Sequence, residues 1–438
     1  MQAEITILIY FVFILGIGVY SAFRIKKPAD YYVAGNRAGM IQVSGSLLAT
    51  ILGGSAILGT IELSHETGWP ALWFLFCAAI GLFALVPVSK YVKRFGNYTL
   101  PDLLGTFYGK KAEVIASVII PVAWLGIIAA QIIAAAKILN GLGFLSYQNA
   151  AITAGLVFIV YTLLGGQLSI LKTDTLQSVL IVAGLVMIFI FSISTPGNIE
   201  VEPLKLNSLF NSSFTVVDLI ILFLTYSVTF IVGPDIYSRV FCAKNEKTAT
   251  RSIVVVAIIL IPISFVLTWL GIFSGQGENS GIVSFAGNLL PAWAYGLFIA
   301  ALLSAVMSSA DTTLLTSSMI LSELFTGNLD KKKALLLTRY IIVVMGILSL
   351  GIALFVTSII QSLLLALTFF SGAFVVPTLA GLLKLNVNKK MVVTAMIAGG
   401  LTALSGKLIN LFIDDLTGNL IIISSYLINS LLLLKYRK

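Results

Sequence analysis

The chain has 438 residues, 58% of them apolar and only 10% charged, with a mean hydropathy of +1.04. Such values exclude an ordinary soluble domain. The net charge of +9 comes without any long basic tract interleaved with aromatics, so it is not a nucleic-acid footprint. Apolar segments of about 20 residues, the length that crosses a bilayer as a helix, recur from end to end. Thirteen are expected: 4–23, 41–66, 70–90, 112–138, 149–166, 174–193, 215–238, 252–272, 291–322, 335–356, 360–383, 391–414 and 418–434. Alternating barrel-type patterning is absent, so the predicted fold is all-α, a polytopic bundle in the lipid bilayer.

Lys and Arg set the orientation. The linkers after the odd-numbered segments, with their borders, hold 24 of the 27 basic residues, Arg239 among them; only Lys137, Lys205 and Lys407 lie elsewhere. The positive-inside rule then places the N-terminus outside and the C-terminus in the cytoplasm of a multi-pass cell-membrane protein. The first segment lacks a basic n-region and a small-residue cleavage site, and Arg24-Ile25-Lys26-Lys27 follows it. It reads as a retained helix rather than a cleaved signal. Cys77 falls within a segment and Cys242 on the cytoplasmic side, which excludes a disulfide between them. A single histidine, His65, excludes a Cys/His metal site.

In chain order, residues 1–40 form an extra helix and a cytoplasmic loop. The second segment carries Gly45, Gly53, Gly54 and Gly59 among Ser44, Ser46, Thr50, Ser55 and Thr60. Small residues there serve close helix packing. Gly53-Gly54 also predicts a break near the midplane that frees the carbonyls of Ala49 and Leu52 for a cation and faces half-helix ends toward a solute. Glu62 is a candidate vestibule residue, with His65 and Glu66 solvated beyond it. Further on, Gly165-Gly166 is expected to end one helix and Asp174 to begin the next, an acid suited to capping or to a second cation. Residues 194–214 form an outer loop with an Asn211-Ser212-Ser213 sequon.

The seventh segment is interrupted at Gly233-Pro234, with Tyr226, Thr229 and Phe230 on one face above the break. The stretch from Phe273 to Leu290 is a second outer loop with room for a short lid helix. The ninth segment then fills one stripe with Ser304, Ser308, Asp311 and Thr312. Hydroxyls there are able to bond back to their own carbonyls. A carboxylate at that depth instead faces a cavity, a partner or an ion. Residues 41–193 and 215–383 are blocks of five segments, each opening with an interrupted helix and inverted relative to the other. That is the pattern of inverted-repeat transporters. Residues 384–438 add two C-terminal helices.

Five stretches, DYYVAGNRAG, LPDLLGTFYGKKAE, GGQLSILKTDTLQ, GPDIYSRVFCAKNEKTA and SAVMSSADTTLL, resemble the solute:sodium symporter family in the same order, from about residue 4 to about residue 400. The resemblance implies a leucine-transporter-type core of 5+5 helices and Na+ as the coupling ion. It implies a main sodium site from the carbonyls of Ala49, Leu52 and Ala305 with the hydroxyls of Ser308 and Ser309. A second cation site would use Asp174, Ser308, Asp311 and Thr312, with Asp311 standing where the best-defined second sites have serine. The solute would lie near Gly53, Ser55, Ala56, Thr60, Tyr226, Thr229 and Phe230.

The expected activity is sodium-coupled symport of a small organic solute by alternating access. Proton coupling through Asp311 or Asp174, and a membrane sensor that binds a solute without moving it, are the alternatives. An enzyme is not expected, since no nucleophile–base pair assembles from one histidine and scattered acids. The solute's identity and the oligomeric state are not encoded in any motif.

Overall fold

Hydrocarbon offers no water to a backbone amide, so a segment that crosses it must satisfy its own hydrogen bonds. The computed structural model describes residues 6, 9–10, 12–14, 16–17, 20, 23, 27–95, 99–194, 204–275, 281–330 and 332–434. Among the described residues all regular structure is helical, with isolated bridges at Ala38–Ala243 and Asn211–Phe214. Nine helices among them are long and apolar enough to cross a membrane. A tenth crossing is the pair Met40–Ile51 and Gly54–Thr67, bent by 43°.

The expected thirteen segments are not reproduced as thirteen such helices. The first falls largely outside the described residues, and the third is a shorter apolar helix, Trp69–Leu85. The fifth and sixth run end to end through Tyr147–Ser194, 48 residues long, as two helices joined at Gly166. At about 1.5 Å per residue that length is more than twice a hydrocarbon core of about 30 Å, and the chain turns inside it at Gly166 (φ 58°, ψ 179°). Only glycine suits that backbone, and a Cβ there would sit 2.4 Å from the Tyr31 ring.

The Ala292–Thr326 helix is the axis of the molecule: every residue from Phe298 to Ile320 is buried. It is enclosed by Tyr147–Ser194, Lys110–Gly141, Lys332–Phe355 and the broken pair. Small side chains at Ala301, Ser304, Ala305, Ser308 and Ser309 permit that enclosure. The expected interruption at Gly233-Pro234 is present, with Gly233 extended and a new helix running Pro234–Cys242. One turn earlier, Phe223–Ser227 is a π-helix that no sequence pattern announced; such turns concentrate at functional sites. Gly81 lets the Leu72–Leu85 helix press against it, since a Cβ on Gly81 would lie 2.0 Å from the Ser227 carbonyl oxygen.

Two loop features close the ends. On the side assigned to the cytoplasm, Ala38 N–H donates to the Cys242 carbonyl and Lys244 N–H to that of Ala38, both at 3.0 Å. Lys93 Nζ donates to the Phe241 carbonyl at 2.5 Å, and burial pulls this amine below its ordinary range. On the other side the expected short helix is found at Ile282–Leu289. Asn211 there donates to the Thr67 carbonyl at 2.7 Å and accepts from the Ser213 and Phe214 N–H groups, so the sequon asparagine has a structural use. Both cysteines are free and buried.

Two glycine substitutions separate packing from propensity. Gly81→Ala forces two backbones apart, so a loss of about 1–3 kcal/mol is expected. Gly351→Ala meets nothing within 4 Å and should gain up to about 1 kcal/mol in helix stability. Thermal unfolding of the purified protein should show opposite shifts; equal shifts would refute the packing account.

Candidate functional site

The break in the second segment forms where predicted. The first arm stops at Ile51, Leu52 turns out of the helical region (φ −79°, ψ 43°), and Gly53 is extended. The N–H groups of Ala56 and Ile57 both engage the Gly53 carbonyl. The N–H that an unbroken helix would aim at the Leu52 carbonyl is thereby drawn elsewhere. The glycines are needed here for proximity. A Cβ on Gly53 would fall 2.0 Å from Ser309 Oγ, and one on Gly54 2.1 Å from Val306 Cγ2. Ser309 Oγ donates to the Thr50 carbonyl at 2.8 Å, across the contact. The structure therefore brings the Ala49–Leu52 strip against the strip of Ala305, Ser308 and Ser309, all buried.

Gln131, which sequence reasoning passed over, fastens the second arm. Its Oε1 accepts from Ser55 N–H at 3.2 Å and its Nε2 donates to Ser55 Oγ at 2.7 Å. The available signal was a lone amide in the run Ile127–Ala136, since polar residues at membrane depth need partners.

Beside this contact lies a buried polar cluster. Asp174 accepts from Ser308 Oγ at 2.6 Å on one oxygen, and on the other from Ser46 Oγ at 2.5 Å and Arg239 Nη2 at 3.2 Å. Arg239 also donates from Nε to Ser46 at 3.0 Å, from Nη1 to Ser238 at 2.9 Å, and from Nη2 to Thr312. Two sequence readings are corrected here. Arg239 is not a cytoplasmic border charge; it is 0% exposed. Asp174 does not open a helix, because the helix resumes after Gly166 and Asp174 lies about two turns inside it. Of the residues expected to share a second cation, Asp174 and Thr312 thus engage a guanidinium, and Ser308 reaches it through Asp174. Asp311, in the same cluster, accepts from Thr162 Oγ1 at 3.0 Å.

A cavity of about 90 Å³ opens next to the break. Ser55, Ala56, Tyr226, Thr229 and Phe230 line it as expected. Gly53 packs against Ser309 instead, and Thr60 turns back to donate to the Ala56 carbonyl at 2.7 Å. Trp124, Gln131 and Asp235 join the lining. The Tyr226 ring stacks on Phe74 at 4.2 Å and meets Phe230 edge-on at 5.0 Å. A second cavity of about 320 Å³ lies toward the other face, where Glu62 pairs with Lys137 at 2.5 Å.

Residues 31–399 match the family model described as the sodium:solute symporter family. The chain belongs to that family. It is 25% identical to the sodium/pantothenate symporter of Escherichia coli strain K12, over 91% of this chain and 90% of that protein. It is 24% identical to the sodium/proline symporter of Haemophilus influenzae, over 92% and 88%. A solved Na+-coupled sialic acid symporter, in a substrate-bound outward-open state, superposes with a TM-score of 0.79 at 18% identity, covering 98% of each chain. The fold is that of leucine-transporter-type symporters. This family member is a multi-pass membrane transporter with Na+ as its coupling ion.

Removing one partner of a buried ion pair strands the other charge, at a cost of about 3–5 kcal/mol. Arg239→Met should therefore lower the unfolding temperature sharply, and adding Asp174→Asn should restore much of the loss. Equal instability of the single and double variants would contradict this pairing.

Proposed function

We propose that the protein takes up a small organic solute by sodium-coupled symport with alternating access. The main Na+ site is assigned to the carbonyls of Ala49, Leu52 and Ala305 and the hydroxyls of Ser308 and Ser309. One observation carries this reading: the Gly53-Gly54 break pressed directly onto Ser309. Carbonyls released from a helix and neutral hydroxyls are ligands suited to a hard monovalent cation. Both hydroxyls donate their protons elsewhere, Ser309 to Thr50 and Ser308 to Asp174, which leaves their lone pairs to accept a cation.

The coupling follows from the connectivity. A cation held by both strips ties the first arm of the broken helix to the Ala292–Thr326 helix. Ser55 and Ala56, which begin the second arm, line the solute cavity. Ion binding therefore preorganises the solute site, and solute binding favours the ion by the same free energy, typically about 1–3 kcal/mol. Inward movement of one positive charge adds about 2.3 kcal/mol per 100 mV of membrane potential. The orientation assigned here has the N-terminus outside and the C-terminus in the cytoplasm of the cell membrane.

A second reading has a specific observation behind it. Two buried carboxylates lie in this cluster; Asp174 pairs with Arg239, whereas Asp311 accepts only from the Thr162 hydroxyl among the described residues. A buried charge without a counter-charge is costly, so the remaining negative charge calls for a proton or a second cation at Asp311. Currents driven by a pH gradient in sodium-free buffer would favour a proton there.

In proteoliposomes, Ser309→Ala should raise the sodium concentration that half-saturates the transport current by about tenfold, and Ser308→Ala by at least as much because it also loosens Asp174. An unchanged sodium dependence in Ser309→Ala would defeat the assignment.

A further inference from the structure

Asp235 is the acidic side chain that lines the cavity beside the break. Its Oδ2 accepts the Trp124 indole N–H at 2.9 Å. Its Oδ1 is buried beside the Thr316 hydroxyl, a neutral donor, and neither atom has a hydrogen bond within 3.5 Å. The guanidinium one turn further on, Arg239, directs its hydrogen bonds to Ser46, Asp174, Ser238 and Thr312. No basic side chain lines the cavity. An acid in the first turn of the Pro234–Cys242 helix is favoured by the helix dipole. That accounts for its position in sequence. It does not account for a carboxylate that lines an aromatic cavity with no cation among the lining residues.

Resting on the symport reading above, we propose that Asp235 recognises a positively charged nitrogen on the transported solute. The substrate class is then amines and zwitterions rather than sugars or organic acids. An ammonium supplies the missing charge and a charge-assisted hydrogen bond together. Trp124, Tyr226 and Phe230 in the lining are rings of the kind that attract a cation. The Trp124 N–H holds the carboxylate in one orientation, so little ordering is left for the solute to impose. A solute bearing only acceptor oxygens would meet a bare negative charge and be rejected.

The test is thermal stability of the full-length purified protein in NaCl and in KCl, with probes that differ only in the charged nitrogen. Choline is set against 3,3-dimethylbutan-1-ol, proline against cyclopentanecarboxylate, and β-alanine against butyrate. In NaCl at least one nitrogen-bearing probe should stabilise the protein while its carbon counterpart does not. D235N should raise that probe's half-saturating concentration at least tenfold with the sodium response intact, and D235E should retain most of the affinity. Equal binding of the counterparts, inert amines throughout, or an unchanged amine affinity in D235N would overturn the proposal. A D235N effect confined to sodium would also overturn it, assigning Asp235 to the ion. The counterpart comparison needs no variant, so a folding failure of D235N leaves it decisive. Amine discrimination that is the same in KCl would sink the sodium reading and leave Asp235 standing.

Discussion

A serine hydroxyl meeting a carbonyl at a helix break is the contact on which the rest depends. Ser309 reaches the Thr50 carbonyl because Gly53 and Gly54 have no side chains to hold the two strands of backbone apart. Nonhelical backbone at membrane depth is stable only where protein covers it, and the Ala292–Thr326 helix provides that cover. Its small residues on this side are therefore required twice, to admit the break and to furnish oxygens. The solute cavity exists because the second arm starts from the same break, with Gln131 holding Ser55 in place.

The charged cluster alongside gives the site its stiffness. Arg239 and Asp174 join four elements: the first arm through Ser46, the 48-residue helix, the Pro234–Cys242 helix, and Thr312 and Ser308 on the central helix. In a low-dielectric interior such a network is strong when every member is satisfied and costly when one is missing. A fixed guanidinium occupies the place beside Asp174 where the second cation was expected. Ser308 belongs to both this network and the proposed ion site, which would link the charge state of one to the occupancy of the other.

Much of this was legible in the chain. Adjacent glycines in an apolar run announced the break, and Ser308 and Ser309 announced the opposing strip, because both signals are local. The errors came from properties that are not local. Arg239 stands next to a basic linker and was counted with it, while the Gly233 break turns that short helix inward. Asp174 follows a Gly-Gly pair and looked like a cap, yet the chain re-enters helix at once after Gly166. Thr60 lies on the polar face of its arm but satisfies its hydroxyl one turn back. Gln131 and Asp235 are single polar residues whose meaning appears only when a cavity forms around them.

The account turns on one claim, that the break and the serine strip together bind a monovalent cation. Equilibrium binding of radioactive Na+ to the purified protein, competed with unlabelled Na+ and K+, measures it without any solute. Saturable binding that Na+ displaces better than K+, and that weakens about tenfold or more in Ser309→Ala, is the predicted result. Non-saturable binding, or the same affinity in the variant, would contradict it.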